Sequence, residues 1–232
     1  WELVWPYDEN NGWEDDVPWC MSLQMTRWLR RNAEGKGHEV APTELYLKKL
    51  ACIAPHDAKL EYALQEREFL NQQLAKYKID DVSPHYSNIA AVRKLLAEIE
   101  YNWLHIASHG LYFDDIPDDA SEIILENGDK FTLDDILGAK VKGHINRKRP
   151  GFVFNACHSG RQTWALTGLG GWPNRLISSG AGLFVAPLWK VRDDLALKFA
   201  QTFYQELFNG KTVAEAVYSS RLAAKAAGDS TW

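Results

Sequence analysis

Two short segments carry the residues best placed to do chemistry. Residues 103–110 read WLHIASHG, and residues 152–160 read FVFNACHSG. Each is an apolar run that ends in a polar turn with glycine, the first presenting His109 and the second Cys157. The thiolate is the attacking form of cysteine, and an imidazole within reach can take the thiol proton and later pass it to a leaving amine. Glycine at the turns removes side-chain bulk, so the backbone N–H groups of Gly110 and Cys157 could point at a developing oxyanion. A plainer reading stands beside this one. Cysteine is often buried simply as packing, and a lone histidine is usually structural. On the residues alone both readings stay open. What favours the pair is the joint pattern, apolar run–His–Gly followed by apolar run–Ala–Cys–x–Ser–Gly.

Other constellations are weaker. His105, His109, Cys157 and His158 could form a zinc site, but their spacing is not that of a finger, and a four-residue step along a strand does not hold His105 and His109 together. Gly210-Lys211-Thr212 resembles the end of a phosphate-binding loop, yet Gln205 stands where its first glycine belongs. Residues 168–173 (GLGGWP) fail the dinucleotide fingerprint at its last position. The basic run Lys140, Lys142, His144, Arg147, Lys148, Arg149 reads as a solvated loop.

The elements that must position these groups alternate between strand and helix signals. Residues 48–54 (KKLACIA) predict a buried strand. Residues 59–76 predict a helix with Leu60, Ala63, Leu64, Leu70 and Leu74 near one face. Ser87 can cap a second helix carrying Ile89, Val92, Leu95, Leu96 and Ile99. Strands follow at 103–107, 152–155 and 182–188. Residues 123–125 and 131–133 flank Asn127-Gly128-Asp129 as a hairpin, and residues 132–135 can start a short helix. Residues 193–208 predict an amphipathic helix closed by Gly210, and Thr212 with Glu215 forms a capping box for a last helix to about 227. Such alternation implies βαβ units and a mostly parallel sheet covered on both faces, with ligands gathering beyond the carboxyl ends of the strands. His109 and Cys157 fall at two such ends.

Bulk properties narrow the function classes. The chain has 232 residues and a net charge of −5, which disfavours a nucleic-acid reader. No apolar run reaches the roughly 20 residues that span a bilayer, and no signal peptide is evident. Three cysteines, at 20, 52 and 157, fit no disulfide framework and suit a reducing, cytoplasmic compartment. Of the ten tryptophans, Trp1, Trp5, Trp13 and Trp19 crowd the start, where an apolar surface is expected to pack against something. A short helix is expected near residues 18–32, and residues 32–42 read as a polar linker. The chain is expected to be a piece of a longer protein, with residues 1–44 an extension or linker to an upstream domain and residues 45–232 the functional domain.

The motifs resemble those of the CHAT domains, relatives of caspase and separase among the clan CD cysteine peptidases. LHIASHG (104–110) is similar to the family's histidine motif and FVFNACHSGR (152–161) to its cysteine motif. LFVAPLWKVRDDLALKFAQTFYQEL (183–207) resembles its L-W-x-V-x-D strand and following helix, and GKTVAEAVYSSRLAA (210–224) its final helix. The resemblance implies a caspase-like three-layer α/β/α sandwich with a mostly parallel central sheet, and peptide-bond hydrolysis without metal or cofactor. It implies His109 as acid–base, Cys157 as nucleophile, and the amides of Gly110 and Cys157 as oxyanion donors. By likeness to the separase motif, Asp193, with Asp194 and Trp189, is implied near the pocket for the substrate residue before the scissile bond (P1). A carboxylate there would favour Arg or Lys. The plainer reading is that both aspartates begin a helix, where negative charge is favourable. An acidic preference would instead need an arginine, for which Arg161 and Arg192 are available. The resemblance further implies a protein substrate, a sensor or repeat domain upstream, and triggering by a partner or ligand in bacterial defence (antiviral defence included) or signalling; the net charge and the lack of a spanning apolar run argue against a direct nucleic-acid or membrane partner. Rival readings are a catalytically silent interaction module of the same fold and a zinc-binding module. Loops 111–122 and 161–175 are expected to order on activation.

Overall fold

The computed structural model describes residues 21, 23–25, 42, 44–57, 59–112, 121–161, 164–165 and 168–228. Most of residues 1–44, with the expected helix, the linker and the early tryptophans, falls outside the described residues, as do residues 113–120 of the first loop expected to move and residues 162–163 and 166–167 of the second. In chain order the elements are β1 (Lys49–Ile53), α1 (Glu61–Tyr77), β2 (Asp80–Asp81), α2 (Ile89–Glu98), β3 (Trp103–Ala107), β4 (Gly110–Tyr112), β5 (Ser121–Ile124), β6 (Lys130–Thr132), α3 (Ala139–Lys148), β7 (Gly151–Asn155), β8 (Trp164–Ala165), β9 (Gly168–Leu169), α4 (Trp172–Ser178), β10 (Leu183–Val185), α5 (Asp193–Phe208) and α6 (Val213–Ala226). They divide between two compact units, residues 29–193 in one and residues 1–28 with 194–232 in the other.

The larger unit is built on a five-stranded sheet of order β10-β7-β3-β1-β2, with every pairing parallel. Successive side chains in a strand point to opposite faces. Ala51, Ile53, Leu104, Ile106, Phe152 and Phe154 accordingly share one core with Val92 and Leu96 of α2, Val141 and Ile145 of α3, and Trp172 and Leu176 of α4. The alternate positions, among them Cys52, His105 and Asn155, face the other side, where Glu66 of α1 meets His105 and Asn155. Within this unit the layers are therefore helix, parallel sheet, helix: the expected α/β/α class. Burying a strand on both faces explains why β1, β3 and β7 read as nearly continuous apolar runs.

Several local expectations need correction. In α1 the buried stripe is Ala63, Glu66, Leu70 and Leu74, while Leu64 is 36% exposed. The cap of α2 is Asn88, whose Oδ1 accepts from the Ala91 amide at 2.9 Å. Ser87 instead accepts from the Ala54 amide at 3.2 Å and so ties α2 to the end of β1. The basic run read as a loop is helix α3: its charges point outward, while Val141, His144 and Ile145 bury one stripe. The hairpin at 127–129 is present, pairing β5 with β6 antiparallel, with Asn127 and Gly128 both at positive φ. β4 adds a third strand to it, which the sequence did not suggest.

In the smaller unit α5 carries a file of aromatic contacts, Phe199–Phe203, Phe203–Tyr204 and Tyr204–Phe208. Gly210, at φ +82°, ends that helix, its amide donating to the Leu207 carbonyl. Thr212 caps α6: Oγ1 accepts from the Glu215 amide at 3.2 Å, and the Glu215 carboxylate accepts from the Thr212 amide at 2.8 Å. No described helix is long and apolar enough to cross a membrane.

Candidate active site

β3 and β7 are adjacent and parallel, with Ala107 paired to Asn155 at their carboxyl ends. His109 and Cys157 each lie two residues beyond that last pair. The two residues are 48 apart in sequence, yet the register brings their turns side by side. The histidine turn is fixed by its backbone. The Ser108 amide donates to the Asn155 carbonyl at 3.3 Å, and the His109 carbonyl accepts from the Ile124 amide at 3.0 Å. Ser108 is buried, with its hydroxyl donating to the Ile124 carbonyl at 2.5 Å, while His109 is exposed. A buried anchor thus presents an exposed imidazole.

Gly110 follows and begins β4. A Cβ at this position would stand 2.1 Å from the Cys157 carbonyl oxygen and 3.1 Å from its amide nitrogen. Only glycine lets the two backbones approach so closely.

The cysteine turn is equally constrained. Ser159 Oγ donates to the Ala156 carbonyl at 2.6 Å, and the Arg161 amide donates to the His158 carbonyl at 3.0 Å. His158 adopts φ 61°, a left-handed conformation uncommon outside glycine, which sharpens the turn. The turn lies along the chain that follows β10. The Gly160 amide donates to the Pro187 carbonyl at 2.8 Å, the His158 amide to the Trp189 carbonyl at 3.4 Å, and the Cys157 thiol to the Val191 carbonyl at 3.8 Å. The Arg161 guanidinium lies 4.5 Å from the centroid of the Tyr112 ring in β4. Cys157 is a free, partly exposed thiol in this turn.

Trp189 is therefore beside the cysteine turn through its backbone. Asp193 lies two residues beyond Val191 and is the first residue of α5; Asp194 opens the smaller unit's share of that helix. The four zinc candidates are not gathered into one group among the described residues. His105 is fully buried against Glu66 of α1, whereas His109 is exposed past the strand end. Among the described residues no group of three or more His, Cys, Asp or Glu is arranged to hold a metal ion.

Sequence reasoning missed one residue that touches both strands beneath the site. Glu66 is 2% exposed; its Oε2 accepts from Asn155 Nδ2 at 2.8 Å, and its Oε1 is 2.5 Å from His105 Nε2. The available signal was the helical step from Ala63 through Glu66 to Leu70, which places a carboxylate within an apolar stripe.

The sequence matches the family model described as CHAT domain over residues 20–229. Among solved structures, the fold is similar to a chain of the Saccharomyces cerevisiae separase–securin complex, with a TM-score of 0.50 and 14% identity over 77% of this chain. The matched region spans 11% of that chain, so the likeness concerns one part of a much larger protein. No curated protein matches.

Proposed function

Because the chain belongs to the CHAT-domain family, we propose that it is a cysteine endopeptidase that cuts a protein substrate with Cys157 as nucleophile and His109 as acid–base. The observation that carries this reading is the register of β3 and β7, which sets both residues two positions past one paired strand end. The separase-like fold supports the same chemistry.

In the proposed reaction the imidazole of His109 takes the Cys157 thiol proton, and the sulfur attacks the carbonyl carbon of a peptide bond. The amides of Gly110 and Cys157 hold the oxyanion, and the close approach of these two backbones supports their acting as a unit. His109 then protonates the leaving amine as the C–N bond breaks, leaving a thioester. Water, deprotonated by His109, attacks the thioester carbonyl; the C–S bond breaks to release the carboxylic acid, and the imidazolium returns the proton to sulfur. In the structure the Cys157 sulfur lies 3.8 Å from the Val191 carbonyl oxygen. The enzyme is further proposed to be gated, triggered by a partner or ligand in defence or signalling, with a domain upstream as sensor. Asp193 lies two residues from that carbonyl and is proposed to select a basic P1 residue, with Trp189 and Asp194 beside it in sequence. The free thiols of Cys52 and Cys157 suit a reducing, cytoplasmic setting.

The test is a panel of peptidyl electrophiles that differ only at P1 (Arg, Lys, Leu, Met, Asp), with mass spectrometry to place the adduct and Cys157→Ala and His109→Ala as controls. Rapid modification of Cys157 that depends on His109 is expected. Modification no faster than in His109→Ala, even with an activating partner, would leave a silent interaction module instead.

A further inference from the structure

A single buried carboxylate bridges the two strands that end in His109 and Cys157. Glu66 lies in the sheet-facing stripe of α1, and each of its oxygens meets a different strand: Asn155 of β7 at 2.8 Å and His105 of β3 at 2.5 Å. Asn155 stands two residues before Cys157, and His105 four before His109. Arg67, next along α1, serves the other half of the sheet. Its Nη1 donates to the Cys52 carbonyl in β1 at 2.5 Å, and its Nη2 is 3.8 Å from Asp81 of β2.

Burying a carboxylate is costly unless donors meet it, and an apolar residue of similar size often packs at least as well. Stability alone therefore gives little reason for glutamate at this position. Geometry gives a better one. The backbone ladder between β3 and β7 ends at Ala107 and Asn155, with only the Ser108 amide bond beyond it. Side chains alternate faces with a period of two. A slip of one residue would turn Asn155 away from Glu66 and move Cys157 along the strand axis by about 3.3 Å relative to His109.

We infer that Glu66 is a positioning residue: by holding Asn155 and His105 together it pins the register of β7 against β3, and with it the spacing of Cys157 from His109. The inference rests on reading those two residues as the dyad. Glu66 is not placed in contact with substrate and acts only through the strands.

The experiment compares Glu66→Ala, Glu66→Gln, Asn155→Ala and Arg67→Met in this chain. Hydrogen exchange is followed at residues 108–112 and 155–161, and the rate of Cys157 alkylation by iodoacetamide is followed against pH, with and without His109→Ala. In Glu66→Ala, exchange is expected to rise about tenfold in those two segments while α2 and β1 stay protected. The His109-dependent part of the alkylation rate should fall about tenfold or more. Glu66→Gln, which keeps a donor and an acceptor, should recover most of both. Asn155→Ala should reproduce the local loss, and Arg67→Met should not. Unchanged exchange in Glu66→Ala and Asn155→Ala, uniform loosening of the sheet, or the same effect from Arg67→Met would each overturn the inference. If Glu66→Ala does not fold, Glu66→Gln and Asn155→Ala decide. If wild-type alkylation does not depend on His109, the peptidase reading falls, while the exchange data still decide the role of Glu66.

Discussion

Gly110 and Cys157 are in backbone contact: the place a Cβ would take on Gly110 is 2.1 Å from the Cys157 carbonyl oxygen, closer than non-bonded atoms approach. One of the two turns must therefore move if residue 110 gains a side chain. Gly110→Ala is expected to lower stability by about 1–3 kcal/mol, as overpacking does. It should also slow His109-dependent modification of Cys157 by about a hundredfold, the usual consequence of a misplacement near 1 Å. Thermal unfolding and adduct formation measured on the same sample separate the two effects. Reactivity at the wild-type level would show that the close approach is packing alone.

Asp193 tests the proposed selectivity. If its carboxylate meets a basic P1 side chain, Asp193→Asn should reduce the advantage of Arg and Lys electrophiles over Leu by about ten- to a hundredfold, the worth of a charged hydrogen bond. If it only begins α5, the same change should cost no more than about 1 kcal/mol of stability and leave the P1 ranking unaltered. Competition labelling with paired electrophiles reads the outcome directly.

The parts of this fold that were legible in the sequence are those where burial and period agree. β3 and β7 are buried on both faces, so WLHIA and FVFN read as strands, and the turns after them displayed His109 and Cys157. α5 and α6 were legible through Gly210 and the Thr212–Glu215 cap, which are local chemistry. The misread segments are those where charge hides the buried stripe. Four outward cations in α3 obscured Val141, His144 and Ile145, and Glu66 went unread because the groups it meets, Asn155 and His105, are far away in sequence. β4 is three residues long and exists through pairing with β5, which no local pattern announces.

The cysteines should separate sharply by reactivity. Cys52 is fully buried in β1, and burial pushes its thiol up from 9.0 to about 12, with the Arg67 guanidinium offsetting only part of that shift. At mildly alkaline pH it should resist alkylation in the folded protein, while the partly exposed Cys157 reacts. In denaturant both should label. The folded state holds the Cys52 proton more tightly than the unfolded chain does. Its contribution to stability is therefore complete below pH 9.0 and is lost as pH rises towards about 12. Site-resolved labelling by mass spectrometry checks this, and native-state modification of Cys52 as fast as that of Cys157 would refute it.

His144 sets an opposite dependence on the acid side. It is 6% exposed in α3, stacked on Tyr101 with ring centroids 4.8 Å apart. Burial lowers its pKa; Arg147 and Lys148 add to that shift, and the Tyr101 backbone and Glu100 oppose it. The unfolded chain therefore binds a proton at this residue before the folded protein does. Stability from the neutral ring is present above the ordinary histidine pKa of about 6.5 and is lost as pH falls below it. His144→Phe keeps a ring against Tyr101 but removes the titration. It should cost about 1 kcal/mol near neutrality through the lost backbone hydrogen bond. It should also flatten the fall in unfolding midpoint on acidification, so that wild type and variant converge as the pH drops. Denaturant unfolding above and below that pKa is the measurement, and parallel curves for the two proteins would place the acid sensitivity elsewhere in the fold.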